Sequence, residues 1–182
     1  MISRDEALQL VKQYVSNKNL IKHMLAVEAV MGRLAARFGE DEASWRLAGL
    51  LHDLDYDKTV KNFARHGLMT AEILQPYDVP ETVIQAIRSH PGHFPRQSLM
   101  DKALYAADPV TGLIVAATLM HPSKKLKEVD LKFIERRFKE KRFAAGADRE
   151  QIKSCEAMDV SLSEFMSLAL EAMQSVDREL GL

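Results

Sequence analysis

Six apolar residues, Leu20, Met24, Val27, Met31, Leu34 and Phe38, recur at alternating steps of four and three, which lays them along one side of an α-helix. Gly39 follows where a left-handed residue would end such a helix. The same periodicity runs through almost the whole chain, and the apolar/polar alternation of a half-buried strand is scarcely found. The fold is therefore read as all-α. Ser3 with Glu6 forms a capping-box pattern for a first helix that faces inward with Leu8, Val11 and Val15. A third helix over 41–54 puts Leu47, Leu50, Leu51 and Leu54 on one face, and a fourth is expected over 62–75. A fifth, over 80–90, must break at Pro91-Gly92. Ser98 with Asp101 opens a sixth that continues to Met120, kinked by Pro109.

The texture changes after Pro122. Residues 124–142 hold nine Lys/Arg against four Asp/Glu, interleaved with Leu126, Val129, Phe133, Ile134 and Phe138. Ser161 with Glu164 caps a last helix carrying Leu162, Phe165, Ala169, Met173, Val176 and Leu180 on one side. The chain divides on this reading into a helical unit over 1–122 and a C-terminal helical extension over 123–182 packed on it. The last stripe serves that packing or a contact with a second copy, so a homodimer stays open.

Charge narrows the function classes. With 25 Lys+Arg against 26 Asp+Glu the net charge is −1, which supplies no global attraction to nucleic acid or to an anionic membrane. The basic stretch reads as a solvated amphipathic helix, so nucleic-acid binding is not expected. No segment approaches the roughly 20 apolar residues of a membrane span. The lone Cys155 cannot form an intramolecular disulfide, and the acidic start at Met1 to Glu6 lacks a signal-like apolar run, so a reduced, cytoplasmic setting is expected.

The histidines and aspartates carry the chemistry. His23, His52, His66 and His90 lie on or at the ends of helices whose apolar faces point inward, and a buried imidazole needs a partner for both nitrogens. Asp53 follows His52 inside an apolar helix, and Asp108 follows Leu104-Tyr105-Ala106-Ala107 in another. An unpaired carboxylate is costly in either place. Carboxylates and imidazoles projecting from different helices of one bundle suit a divalent cation; alternatively, His52-Asp53 caps or ion-pairs the end of its helix. The acids Asp55 and Asp57 either orient a histidine N–H or shape a turn. Trp45 and Tyr56 flank this helix as core residues or as a base-stacking wall.

His23, then Leu50-Leu51-His52-Asp53, then Ala106-Ala107-Asp108 resembles in order and spacing the H…HD…D motif of the HD superfamily of metal-dependent phosphohydrolases, over roughly residues 20–119. The resemblance implies an all-helical bundle with His23, His52, Asp53 and Asp108 as ligands of one or two divalent ions, drawn from Fe, Mn, Zn, Ni, Co or Mg. It implies that Asp53 orients or deprotonates the attacking water, or bridges two metals. His66 and His90 match additional histidines of some members and would act in catalysis, by completing a second metal site or touching a phosphate. Lys58, Arg65 and Arg88 are the cations nearest to these positions and are expected to bind substrate phosphate. The chain departs from the family in two places. The lysine that often stands four residues after the HD histidine comes two positions late, as Lys58, and Pro91-Gly92-His93-Phe94-Pro95 replaces the Gly-Tyr-Pro extension of the cyclic-dinucleotide phosphodiesterases, so that activity is not expected. His93 reads as a rim residue and His121 as structural. The expected function is hydrolysis of a small phosphorylated substrate, a nucleotide or dinucleoside polyphosphate; the rival is a non-enzymatic metal-binding sensor on the same fold.

Overall fold

A computed structural model describes all 182 residues, helical throughout and without a strand. The elements are α1 (Arg4–Tyr14), α2 (Lys18–Phe38), α3 (Glu42–Leu51), α4 (Tyr56–Thr59), α5 (Leu68–Leu74), α6 (Glu81–Ser89), α7 (Leu99–Met120), α8 (Leu131–Lys139), α9 (Arg149–Lys153), α10 (Leu162–Ser175) and α11 (Asp177–Leu180). Single 3₁₀ turns at Phe63–Arg65, Leu126–Glu128 and Ser154–Met158 join them.

Local chemistry sets most boundaries. Ser3 and Glu6 complete the capping box of α1, and Ser98 with Asp101 completes that of α7, each pairing donors that a helix start leaves free. Gly39 ends α2 at φ 71°, its N–H bonded to the Ala35 carbonyl. The third helix stops earlier than its apolar pattern suggests. After Leu51 the chain tightens into turns bonded Leu54 N–H to Leu51 O and Tyr56 N–H to Asp53 O, and that curl carries Asp53 and Asp55 inward. The expected fourth helix is broken into α4, the turn Phe63–Arg65 and α5. Gly67 causes the break: its φ is +77°, and a Cβ there would sit 2.7 Å from the Ile87 carbonyl oxygen.

The apolar faces meet in one continuous core, with α2 and α7 at its centre and α3, α6 and α10 packed on them. α2 lies closest to α3 because Gly49 has no side chain. A Cβ at that position would be 2.7 Å from the Val27 carbonyl oxygen and 2.8 Å from Glu28 Cα. α7 is long and apolar enough by length and composition to cross a membrane, contrary to the expectation that no such stretch exists. Here Leu104, Ala107, Leu113 and Ile114 of α7 are fully buried within the bundle. The basic segment forms α8, whose Ile134 and Phe138 are buried while Lys132, Arg136 and Lys139 face outward or lie at the margin.

Pro109 stays within α7. It has no N–H for the carbonyl four residues back, that of Tyr105, and Gln151 of α9 donates its side-chain amide to this oxygen at 2.8 Å. Arg149, two residues earlier, donates to the carbonyls of Ala144 and Ala147 at 2.8 and 2.6 Å. These bonds hold the loop before α9, with Gly146, against α7 beside Asp108.

Candidate metal centre

Four helices deliver the side chains. α2 brings His23, the end of α3 brings His52 and Asp53, the end of α6 brings His90, and α7 brings Asp108; His66 enters from the turn that Gly67 makes possible. His52, Asp53, His66 and His90 are buried, whereas His23 and Asp108 are partly open to a cleft of about 360 Å³.

Each imidazole is held by its Nδ1. His52 Nδ1 donates to the Gly49 carbonyl at 2.8 Å, and His90 Nδ1 to the Ile87 carbonyl at 2.6 Å. A carbonyl only accepts, so both rings carry their proton on Nδ1. His66 Nδ1 donates to Asp55 Oδ1 at 2.7 Å. The Thr111 hydroxyl gives its one hydrogen to the Asp108 carbonyl at 2.9 Å and therefore accepts from His23 Nδ1 at 3.0 Å. With every Nδ1 occupied, four Nε2 atoms remain, and they converge. His23 Nε2 is 3.2 Å from His52 Nε2, and His66 Nε2 is 3.1 Å from His90 Nε2. Asp53 stands between the pairs: Oδ1 is 3.2 Å from His66 Nε2 and 3.5 Å from both His52 and His90 Nε2, while Oδ2 is 3.7 Å from His23 Nε2. Asp108 Oδ1 reaches His23 Nε2 at 3.2 Å.

Two imidazoles whose Nε2 atoms face each other at this distance repel unless a proton or a metal cation lies between them. Imidazole nitrogens and carboxylate oxygens converging from several helices are a donor set that fits a divalent metal. His23, His52 and Asp108 form one group of ligand atoms within 4.8 Å of one another, and His52, Asp53 and His90 form a second. They share His52, whose one free nitrogen serves a single ion, so a second ion would rely on Asp53, His66 and His90.

Without metal, the imidazoles differ in charge. Burial lowers the pKa of His52 to about 4, leaving it neutral and ready to ligate. Burial opposes charge on His66 as well, but Asp53 and Asp55 outweigh it and lift His66 to about 9. Burial also works against charge on His23, and the hydrogen bond and charge of Asp108 overcome it and raise its pKa. Burial would raise Asp53, yet the surrounding imidazoles hold it well below the usual carboxylate range, and Asp108 is lowered by His23 in the same manner.

Asp55 is fully buried. Besides His66 it accepts from the backbone N–H of Gly67 at 2.8 Å and of Thr70 at 3.0 Å. It thus both orients a histidine and shapes a turn, whereas Asp57 only accepts from Ser16, at the surface. Lys58, Arg65 and Arg88 do not line the cleft. Lys58 lies over the Tyr14 ring at 5.1 Å; Arg65 pairs with Glu72 at 2.7 Å and Arg88 with Glu81 at 3.1 Å. Glu81 and Arg88 stand two turns apart on one face of α6, whereas Arg65 meets Glu72 of α5 across the bend at Gly67. Trp45 is a core residue against Phe38, but Tyr56 lines the cleft. His93 Nε2 donates to the Phe63 carbonyl at 2.8 Å, near the rim, and His121 packs on Phe133 and does not line the cleft. Gln151 and Gly146 of the cleft wall escaped the sequence reading; a proline inside a helix, which leaves a carbonyl four residues back, is the signal that leads to Gln151.

The HD domain family profile matches residues 20–149. The chain belongs to the HD domain family. This agrees with the resemblance to the HD superfamily of metal-dependent phosphohydrolases and with a helical, divalent-metal-binding fold. The chain is similar to Ribonuclease Y of a Nitratiruptor species, 30% identical over 163 residues that make up 88% of this chain and 31% of that protein. It is similar to Ribonuclease Y of a Sulfurovum species, 30% identical over 162 residues, 87% of this chain and 32% of that protein. Ribonuclease Y of Clostridium kluyveri is 28% identical over 166 residues, 90% of this chain and 32% of that protein. The chain therefore spans about a third of the length of these curated relatives. No solved structure matches it.

These relatives correct the expectation that nucleic acid is not a partner, since each carries the name of a ribonuclease. That expectation rested on a net charge averaged over the chain. A balanced total removes long-range attraction, but it says nothing against a cleft whose residues are suited to hold cations next to a phosphate.

Proposed function

We propose that this chain is a metal-dependent hydrolase unit that cuts phosphodiester bonds in RNA. The observation that carries the hydrolase part is the convergence of four Nε2 atoms on Asp53, with every Nδ1 tied elsewhere. The RNA part is supported by the relatives named Ribonuclease Y and replaces the nucleotide or dinucleoside polyphosphate of the sequence reading.

His23, His52 and Asp108 would hold one cation; since the single free Nε2 of His52 serves only one ion, a second would draw on Asp53, His66 and His90. Bound divalent ions would neutralise phosphoryl charge and lower the pKa of water at the site. Asp53, with its two oxygens facing different imidazoles, is the residue suited to bridge. Its lowered pKa keeps it ionised at neutral pH, so it accepts hydrogen bonds and orients a water rather than storing a proton. Asp55 keeps His66 in the tautomer that presents Nε2 to the cleft, and the Gly49 and Ile87 carbonyls do the same for His52 and His90.

Elemental analysis of the purified protein, beside cleavage of an end-labelled RNA with added Mn, Fe, Co, Ni, Zn or Mg, tests this reading. Bound metal and metal-dependent cutting that is lost in His52→Ala and Asp53→Asn supports it. Bound metal without cleavage of any phosphoester supports a sensor instead. No metal under any loading condition removes the site assignment.

A further inference from the structure

The cleft has two unlike ends. Around His23 and Asp108 its walls are Pro109 and Gly146, and an adjoining hollow adds Gly112, Ala144 and Ala147, all small or compact. Around His66 its walls are aromatic. Tyr56 and Phe63 each contact the His66 ring, at centroid distances of 5.4 and 5.3 Å, and both line the cleft. Phe63 touches His93 on another side, at 5.3 Å, and its carbonyl is bonded to His93 Nε2 at 2.8 Å. The 3₁₀ turn thus holds the ring in place, yet Phe63 is 51% exposed and Tyr56 39%. These are among the few large apolar side chains the fold leaves in water, although a buried core stands next to them. Two exposed rings that both pack on one histidine of the candidate metal cluster need an explanation that core packing does not supply.

The same cleft offers almost nothing that reads a base by hydrogen bonds. No Lys or Arg lines it, and its one side-chain amide, Gln151, is already bonded to the Tyr105 carbonyl. A ligand with a phosphate at the imidazole-carboxylate cluster and a flat ring at its other end matches what is present. Stacking on aromatic rings is tolerant of base identity because every base has a π-face. It also requires the base to be splayed out, since bases inside an RNA duplex are stacked on each other.

We infer that Phe63, which shares His66 with Tyr56, is the stacking platform for one unpaired base of a single-stranded RNA whose neighbouring phosphate lies at the metal cluster. This rests on the reading of the cleft as an RNA hydrolase. It makes Phe63 a residue that sets single-strand preference with little sequence preference, and it places the base at the His66 end and not at the Gly146 end.

The test is a cycle of two changes, one in the protein and one in the substrate, made on the whole metal-loaded chain. The probes are a fluorescein-labelled single-stranded decaribonucleotide and its counterpart with abasic residues at the four central positions. Kd is read by anisotropy in Ca²⁺ and KM by cleavage in the metal that supports turnover. Phe63→Ala is expected to weaken the intact decamer about tenfold, in line with about 1–3 kcal/mol per stacked base, and base removal to weaken the wild type to a similar extent. The two together are expected to fall well short of the hundredfold product, and Phe63→Trp to keep the wild-type affinity. If the two losses multiply, or if Phe63→Trp behaves as Phe63→Ala, the stacking role is overturned while the hydrolase reading stands. If the decamer is neither bound nor cut with any metal, both fall together.

Discussion

Asp55 and His66 are bonded directly at 2.7 Å through Nδ1, the carboxylate buried and the ring's Nε2 turned to Asp53. The other oxygen of Asp55 takes the N–H groups of Gly67 and Thr70. This division of labour gives a sharp consequence for Asp55→Asn. An asparagine must keep its oxygen on the two backbone N–H groups, which leaves its NH₂ facing His66 Nδ1. The ring then has to accept there and carry its proton on Nε2, where a metal would bind. Metal affinity is expected to fall about 10–100-fold, as for other partners that orient ligating histidines, with secondary structure retained. Competition titration against a chelator checks it, and an unchanged affinity would show that His66 does not ligate.

Proton linkage at His66 has a definite sign. Its pKa rises from 6.5 to about 9 in the folded protein without metal. A raised pKa contributes stability that is fully present below 6.5 and is lost as pH climbs through about 9. The melting temperature of the metal-free protein is therefore expected to fall between those values. Metal uptake at pH 7.5 is expected to release a proton from this residue. Calorimetry in buffers of different ionisation enthalpy measures that release, and a buffer-independent heat would contradict it.

Gly49→Ala tests the close approach of α2 and α3. The added Cβ meets backbone atoms of Val27 and Glu28 at 2.7 and 2.8 Å, and backbone cannot step aside as a side chain can. Overpacking of this kind costs about 1–3 kcal/mol. Because His23 and His52 project from these two helices, the metal content at a fixed metal concentration is expected to drop along with the urea midpoint. Stability lost with full metal binding would mean that the helix spacing does not govern the site.

The Tyr105 carbonyl separates two contributions of Gln151. Gln151→Ala removes the amide that this oxygen accepts from, at an expected cost of about 1 kcal/mol. Pro109→Ala returns an N–H to α7 that can bond the same oxygen. In that background, Gln151→Ala is expected to cost clearly less than it does alone. Equal costs in both backgrounds, read from urea unfolding, would mean that Gln151 acts through packing.

The helices and four of the candidate ligands are legible in the sequence because both are local or periodic signals. The stripe from Leu20 to Phe38 is long enough to leave one solution, and His52-Asp53 and Asp108 stand inside apolar runs where only a partner explains them. What escaped depends on single backbone conformations or on distant pairings. The split of the helix expected over 62–75 comes from the positive φ of Gly67, a conformation its composition permits but does not demand. The aim of Lys58, Arg65 and Arg88 was set by Tyr14, Glu72 and Glu81, none of which is adjacent in sequence. Asp55 was indistinguishable from a turn residue because it is one, and its second bond requires knowing where His66 comes to rest.

Pro109 has a consequence for how the chain finds its register. Ile152 and Cys155 are fully buried, but small apolar groups such as these would satisfy a bundle in several neighbouring alignments of the segment that follows residue 148. Only one alignment brings Gln151 opposite Tyr105. In every other, α7 keeps a carbonyl with no donor, a penalty of about 1–3 kcal/mol that apolar contact does not offset. A residue known for breaking helices therefore acts, 42 positions upstream of its correspondent in the chain numbering, as the tooth that lets the segment after residue 148 seat in one way.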